Sequence, residues 1–431
     1  MKVQQFFVLL FSVFLSFFII ATPTVSGHSI VLQQTPLPNS QLDTSPTEVV
    51  IVFNKKIEKE LFSIKVLDEK QQEVTSNKAV INDQQLEIRL TLPELVNGVY
   101  QVQYRAISSN DGHLMEGAYH FQVAIPTPSN QLTEHEHKHS PPTLETVDLT
   151  TSHHETSTLT SSTNYEWILY YLRALYYIGF LLIIGWLFWW RFVQKYSPEV
   201  KKKYSAYGMS IQTLHLTGLI SMMLMQLNIF THFDLSFTSN FLTGSTFGLM
   251  WLFSLLLSLI GFVSLFRNQW FDLVWIVFML VFKSLNGHSV EFEPASILII
   301  TNSIHLLAAS IWAAGLLFIV VFWRKHRLFV SDFLPTFSKY AFWSIVALSI
   351  TGLFTTFSFL INAPLSLNPW ILILLCKLLA VMAVIVIGGI IRSTLKKQQT
   401  MNINLMIKLD FCLMLIIVIL VSIFTYLNPL S

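Results

Sequence analysis

Residues 86–104 read LEIRLTLPELVNGVYQVQY. Leu86, Ile88, Leu90 and Leu92 alternate with Glu87, Arg89 and Thr91, and Tyr100, Val102 and Tyr104 repeat the alternation after Asn97-Gly98. A period of two sends successive side chains to opposite faces, so this stretch predicts two half-buried strands with a turn between them. Outward from it, Glu48 to Phe53 is a short apolar run, and Pro36, Pro38, Pro46 and Pro93 punctuate the segment. Short alternating strands bounded by turn residues predict that 28–125 folds as a β-sandwich or small barrel.

The flanks differ in character. Residues 1–27 carry Lys2, an apolar run from Phe6 to Ala21, and Val25-Ser26-Gly27. That is the pattern of a cleavable signal peptide; an uncleaved anchor, the other reading, would need a longer run to span a bilayer. Cutting after Gly27 makes His28 the first residue of the mature chain. Residues 126–164 are rich in Ser, Thr, Pro, Glu and His and have too little apolar surface to fold, which predicts a flexible tether. It contains His135, His137, His139, His153 and His154. Such closely spaced imidazoles either capture metal opportunistically or sit incidentally in a solvated linker, and both readings stay open.

Composition settles the class of the remainder. Of 431 residues 53% are hydrophobic and 12% charged, and the mean hydropathy of +0.55 lies outside the range of soluble domains. From Tyr165 onward about eight apolar runs reach spanning length: 167–190, 208–230, 244–266, 270–285, 296–323, 341–361, 370–391 and 409–426. Residues 165–431 are therefore predicted to form an all-α polytopic membrane bundle. Lys and Arg follow the odd-numbered runs (Arg191, Lys195, Lys201 to Lys203, Arg267, Arg324, Lys325, Arg327, Arg392, Lys396, Lys397), while 231–243, 287–295 and 362–369 contain none. The positive-inside rule then puts the N-terminal domain and the C-terminus outside the cell membrane. The net charge of only +2 argues against a nucleic-acid partner. Cys376 and Cys412 both lie in late apolar runs, so the exported part has no disulfide framework.

An amino-terminal His offers one metal both its free α-amine and its ring Nδ1. Asp111 and His113, two apart in Asn110-Asp111-Gly112-His113, point the same way on an extended segment and add a carboxylate oxygen and a third nitrogen. Nitrogen-rich tetragonal coordination suits Cu(II), so His28, Asp111 and His113 are the candidate metal ligands. In the membrane part, a His or Lys inside an apolar helix is expensive and marks a path or relay by default. Candidates are His288, His305, His215, His232 and Lys377; the bland alternative is a hydrogen bond to a neighbouring helix. Met222 and Met225, beside Met223, can offer thioethers to Cu(I) or simply fill space. Trp186, Trp189 and Trp190 read as an interfacial belt.

Ser108-Ser109-Asn110-Asp111-Gly112-His113, followed by Gly117 and a strand through Phe121, resembles the CopC family of copper-binding sandwiches, whose members begin with His after signal removal. Val50 to Phe53 resembles that family's strand ending in Phe. The resemblance implies an immunoglobulin-like or cupredoxin-like fold and Cu(II) held by His28, Asp111 and His113. Where some relatives carry an acid after that Phe, this chain has Asn54, Lys55 and Lys56, and Met115 is the only Met between His28 and Asn164. No further carboxylate ligand and no Met-rich Cu(I) site is expected in the sandwich. The membrane part resembles the CopD family through Gly287-His288, the stretch from His305 to Gly315 (HLLAASIWAAG), and Lys377-Leu378-Leu379.

The expected function is copper acquisition: capture of Cu(II) outside, with an extracytoplasmic copper chaperone as a candidate donor, and passage of copper through the bundle. No nucleotide-binding loop, catalytic triad or zinc motif is visible, so the chain does not read as an enzyme or a pump. One rival is external sequestration for copper resistance. The other is a haem or quinone redox protein ligated through His215, His288 and His305, which a Soret band would reveal.

Overall fold

The computed structural model describes residues 31–54, 56–108, 114–124, 159–231, 235–286, 295–323, 326–360, 369–397 and 403–425. These form two compact units, a β domain and a helical one. The candidates His28, Asp111, His113, His135, His137, His139, His153, His154, His232 and His288 lie outside the described residues.

The β domain is a sandwich of two four-stranded sheets. One has the order β1 (Val31–Thr35), β3 (Glu48–Phe53), β6 (Glu87–Thr91), β5 (Val80–Ile81); the other has β2 (Gln41–Leu42), β8 (Leu114–Val123), β7 (Gly98–Ser108), β4 (Ile57–Leu67). The alternation predicted for 86–104 is realised, since Ile88 and Leu90 are fully buried between Glu87, Arg89 and Thr91. The two strands it contains are not hairpin partners, however. Pro93 cannot donate to a ladder, and Leu92 and Leu95 are buried between the strands, so the chain crosses from one sheet to the other. The core comes from both inner faces: Val49, Ile51 and Phe53 from β3, Val102 and Ala106 from β7, and Met115, Tyr119 and Phe121 from β8.

The helical unit comprises α1 (Leu159–Val193), α2 (Pro198–Thr231), α3 (Leu235–Gly244), α4 (Thr246–Ser264), α5 (Gln269–Leu285), α6 (Ala295–Phe322), α7 (Arg327–Leu360), α8 (Pro369–Lys397) and α9 (Ile403–Phe424). Each of the eight expected apolar runs falls on a helix. Among the described residues, six helices are long and apolar enough to cross a membrane: Trp167–Val193, Thr246–Ser264, Ala295–Phe322, Arg327–Ser358, Trp370–Thr394 and Leu405–Phe424. Of the other two, α5 has only 17 residues, and α2 interrupts its apolar run with Gln212 and His215, both fully buried.

Three boundaries differ from expectation. Helix α1 starts at Leu159, inside the expected tether, because no proline interrupts the chain between Pro142 and Pro198. Residues 235–244, read as part of a loop, form α3. Helix α7 starts at Arg327 rather than Ala341, since Phe329, Val330 and Phe333 bury themselves at helical spacing, with Phe333 against Phe318 of α6 at 4.1 Å between ring centroids.

The tryptophans of α1 are not an interfacial belt. Trp186, Trp189 and Trp190 are 0%, 2% and 7% exposed. Trp186 stacks on Tyr204 at 4.4 Å and donates its indole N–H to the Tyr204 carbonyl, and Trp189 donates to the carbonyl of Ile311. With the indole N–H of Trp186 and of Trp189 satisfied by backbone, these side chains build helix contacts. Gly185 makes this possible: any side chain there would overlap Ser310 and Ala314 of α6. The small residues between Ala308 and Gly315 thus serve close helix approach, as expected.

Candidate functional site

The described strands that flank His28, Asp111 and His113 in the sequence meet at one end of the sandwich. Val31 opens β1 and pairs with Phe53, the last residue of β3. The Phe53 ring meets Tyr104 of the other sheet edge-on, with centroids 6.2 Å apart. Tyr104 pairs with Gly117, toward the end where the β7–β8 ladder closes at Ile107 and Leu114. The start of β1 and the last residues of β7 with the first of β8 therefore share one end of the domain. His28 precedes Val31 by three residues, and Asp111 and His113 fall in the connection from β7 to β8.

Gly117 is required in this corner. The Tyr104 ring lies flat over it, and a methyl group there would overlap the phenol. Gly117→Ala is expected to push Tyr104 off Phe53 and to destabilise the sandwich by about 2 kcal/mol, read by denaturant unfolding of the 28–125 segment.

Other groups near this end are poor rivals for a metal. Burial raises the phenol pKa of Tyr104 and Tyr119, so neither offers a phenolate. Met115 is 3% exposed and belongs to the core, Asn54 and Lys56 provide no carboxylate, and His120 is exposed on β8 opposite Gln101. Among the described residues no three His, Cys, Asp or Glu side chains cluster in a way that would hold a metal ion.

In the helical unit, the clearest candidate is His305. Its Nδ1 lies 2.8 Å from Thr351 Oγ1 of α7, and that hydroxyl is itself 2.6 Å from the Ala347 carbonyl. A hydroxyl has one proton, and the carbonyl can only accept it, so Nδ1 must carry the proton between His305 and Thr351. This fixes the tautomer and leaves the Nε2 lone pair free of that bond, the arrangement by which a second partner prepares a histidine to ligate. The ammonium of Lys377, on α8, lies 5.4 Å from the Phe424 ring centroid.

His215 is fully buried on α2 between Tyr176 and Phe180 of α1, at centroid distances of 5.6 and 5.8 Å. Gly179 and Gly218 permit that proximity: a Cβ on either would come within 2.6 to 2.8 Å of backbone on the facing helix. Neither ring nitrogen has a partner among the described residues, so the helix-to-helix hydrogen bond that would explain it as packing is not formed. Met222 stands two turns along the same face and is buried with Met223; Met225 is half-buried.

Two features escaped the sequence reading. Arg173 of α1 donates to the Thr425 carbonyl and hydroxyl at 3.1 and 3.0 Å, beside Tyr177 and the Lys283 ammonium, which is 5.0 Å from the Tyr177 ring centroid. Asp410 is buried in α9. The signal for each was a single charge inside an apolar run, the same signal that drew attention to Lys377.

Comparison with known proteins matches residues 31–124 to the CopC domain family. Nearly the full chain, 96%, is similar at 23% identity to 76% of a Bacillus subtilis protein described as copper transport protein CutJ. Protein YobA of Escherichia coli K12 is 28% identical over 24% of this chain and 85% of its own length. Among solved structures, CopC from Methylosinus trichosporium OB3b is 32% identical, covering 24% of this chain and all of that one, with a TM-score of 0.22.

Proposed function

We propose, from the premise that this chain carries a CopC domain at residues 31–124 joined to a helical membrane region in the manner of fused CopC–CopD proteins, that it captures Cu(II) outside the cell and passes copper inward. The exported site is His28 through its α-amine and Nδ1, with Asp111 and His113. The observation that supports this reading is the contact between Phe53 and Tyr104, which brings the start of β1 and the end of β7 to one end of the sandwich. A chelate that includes the chain terminus and a loop needs its two segments to meet there.

The protein sits in the cell membrane with the sandwich and the C-terminus outside. Copper leaving the sandwich meets, in the bundle, His305 with its free Nε2 and His215 with its unpartnered ring; His288, His232, Met222 and Met225 complete the candidate path. Soft thioethers and neutral imidazoles favour Cu(I) there. The His-rich segment from 126 to 158 supplies intermediate binding. Copper transport as such accords with a relative described as a copper transport protein.

Cells lacking the protein are expected to hold less copper when external copper is scarce. Unchanged or increased intracellular copper would reverse the direction and favour sequestration. His113→Ala is expected to remove one nitrogen from the hyperfine pattern of the Cu(II) EPR spectrum, and an unaltered spectrum rejects that ligand.

A further inference from the structure

The transport reading leaves one buried acid unused. Asp410 on α9 is 4% exposed, and its Oδ1 has no hydrogen-bond partner among the described residues. Trp312, on the packed helix α6, lies near the carboxyl. No described cation pairs with it. Lys408, on the same helix, is exposed; on α8, which packs along α9, Lys377 lies at the Phe424 ring and Arg392 at the Phe342 ring, 4.7 Å from its centroid. His305 stands seven residues before Trp312 on α6, about 10 Å along the helix axis. At the far end of α9, Arg173 is bonded to Thr425.

A carboxyl held in a membrane helix needs a proton or a cation beside it. Its oxygens are hard donors and an indole N–H has no lone pair to give, so Asp410 and Trp312 do not make a site for a soft metal ion. A proton fits. The carboxyl is also near the candidate path, because His305 and Trp312, seven residues apart, lie on one face of α6.

We propose that Asp410 is a proton-binding site that couples copper passage to a counter-flow of protons, a role that rests on the transport reading above. A copper ion in the path and a proton on Asp410 repel each other through a medium of low dielectric. As copper arrives the carboxyl O–H bond breaks and its proton leaves to the side that supplied the copper; once copper has left, the bond re-forms with a proton from the receiving side. No electrons move in this step. Trp312 is a positioning residue that holds the carboxyl at the path.

The test uses the full-length protein in liposomes with the pH dye pyranine in the lumen. Copper is supplied outside as Cu(II) and, with ascorbate, as Cu(I). Wild-type protein is expected to take up copper about fivefold faster or more when the lumen is more acidic than the bath, with lumenal pH rising as copper enters. Asp410→Asn, which keeps the shape but cannot take up the proton, is expected to lose both the gradient response and the pH change; Asp410→Glu is expected to restore them. Trp312→Phe is expected to displace the pH profile of uptake while leaving folding intact by size-exclusion. Gradient-driven uptake that survives in Asp410→Asn, with the pH change intact, overturns the coupling and leaves transport standing. A wild type that moves no copper overturns transport, and the coupling falls with it.

Discussion

One residue added ahead of His28, or a block on cleavage after Gly27, is expected to weaken Cu(II) binding by the exported domain about a hundredfold, or roughly 2.7 kcal/mol. The argument is chemical. Extension converts the α-amine of His28 into an amide, whose lone pair is delocalised and which does not ligate at neutral pH. The imidazole remains, but the two-nitrogen chelate ring is gone, and the ion keeps only separate contacts from one His ring, Asp111 and His113. Competition titration against a chelator of known affinity reads the loss directly. His28→Ala with correct cleavage is the companion variant: it keeps the amine, removes the ring, and should weaken binding similarly. If both variants bind as the natural domain does, the N-terminal chelate is not the site. If only the extended one does, the ring ligates without the amine.

The sandwich was legible because period-two alternation survives in β3, β6 and β7, whose inward positions are the buried core. The sequence did not reveal that β6 and β7 belong to different sheets, since Asn97-Gly98 looks the same in a tight hairpin and in a sheet crossing. Pro93 and the apolar pair Leu92 and Leu95 were the overlooked signal. Helices were legible from run length alone, but packing within a bilayer was not. Lipid-facing and protein-facing positions are equally apolar, so Trp186, Trp189 and Trp190 read as an interfacial girdle although they are buried against α2, α6 and α7.

The same limit governs the membrane histidines. Sequence marks His215 and His305 alike, as imidazoles in apolar helices. Only the partner across the interface separates them: His305 has Thr351, while His215 has two aromatic rings and two glycines that bring them close. Asp410 and Arg173 show that charge inside an apolar run deserved the same weight whatever the residue type.

His305→Ala is expected to leave Cu(II) binding outside unchanged and to reduce copper uptake by the full-length protein about a hundredfold, while Thr351→Val reduces it about tenfold. The difference in magnitude is the point. Alanine removes the ligating nitrogen; valine preserves bulk and helix packing but removes the oxygen that holds the proton on Nδ1. Without that acceptor the ring is free to carry its proton on Nε2, where it blocks a metal, and to turn away from the path. Thr351→Ser restores the oxygen and should restore most of the uptake. A packing role predicts a different order: valine would be tolerated, serine would leave a small cavity, and alanine at 305 would lower thermal stability more than uptake. Flux in sealed vesicles, measured beside thermal unfolding of each variant, separates the two. Normal flux in His305→Ala would remove this histidine from the path and shift the ligand role in the bundle to His215, whose two ring nitrogens are buried without a partner among the described residues.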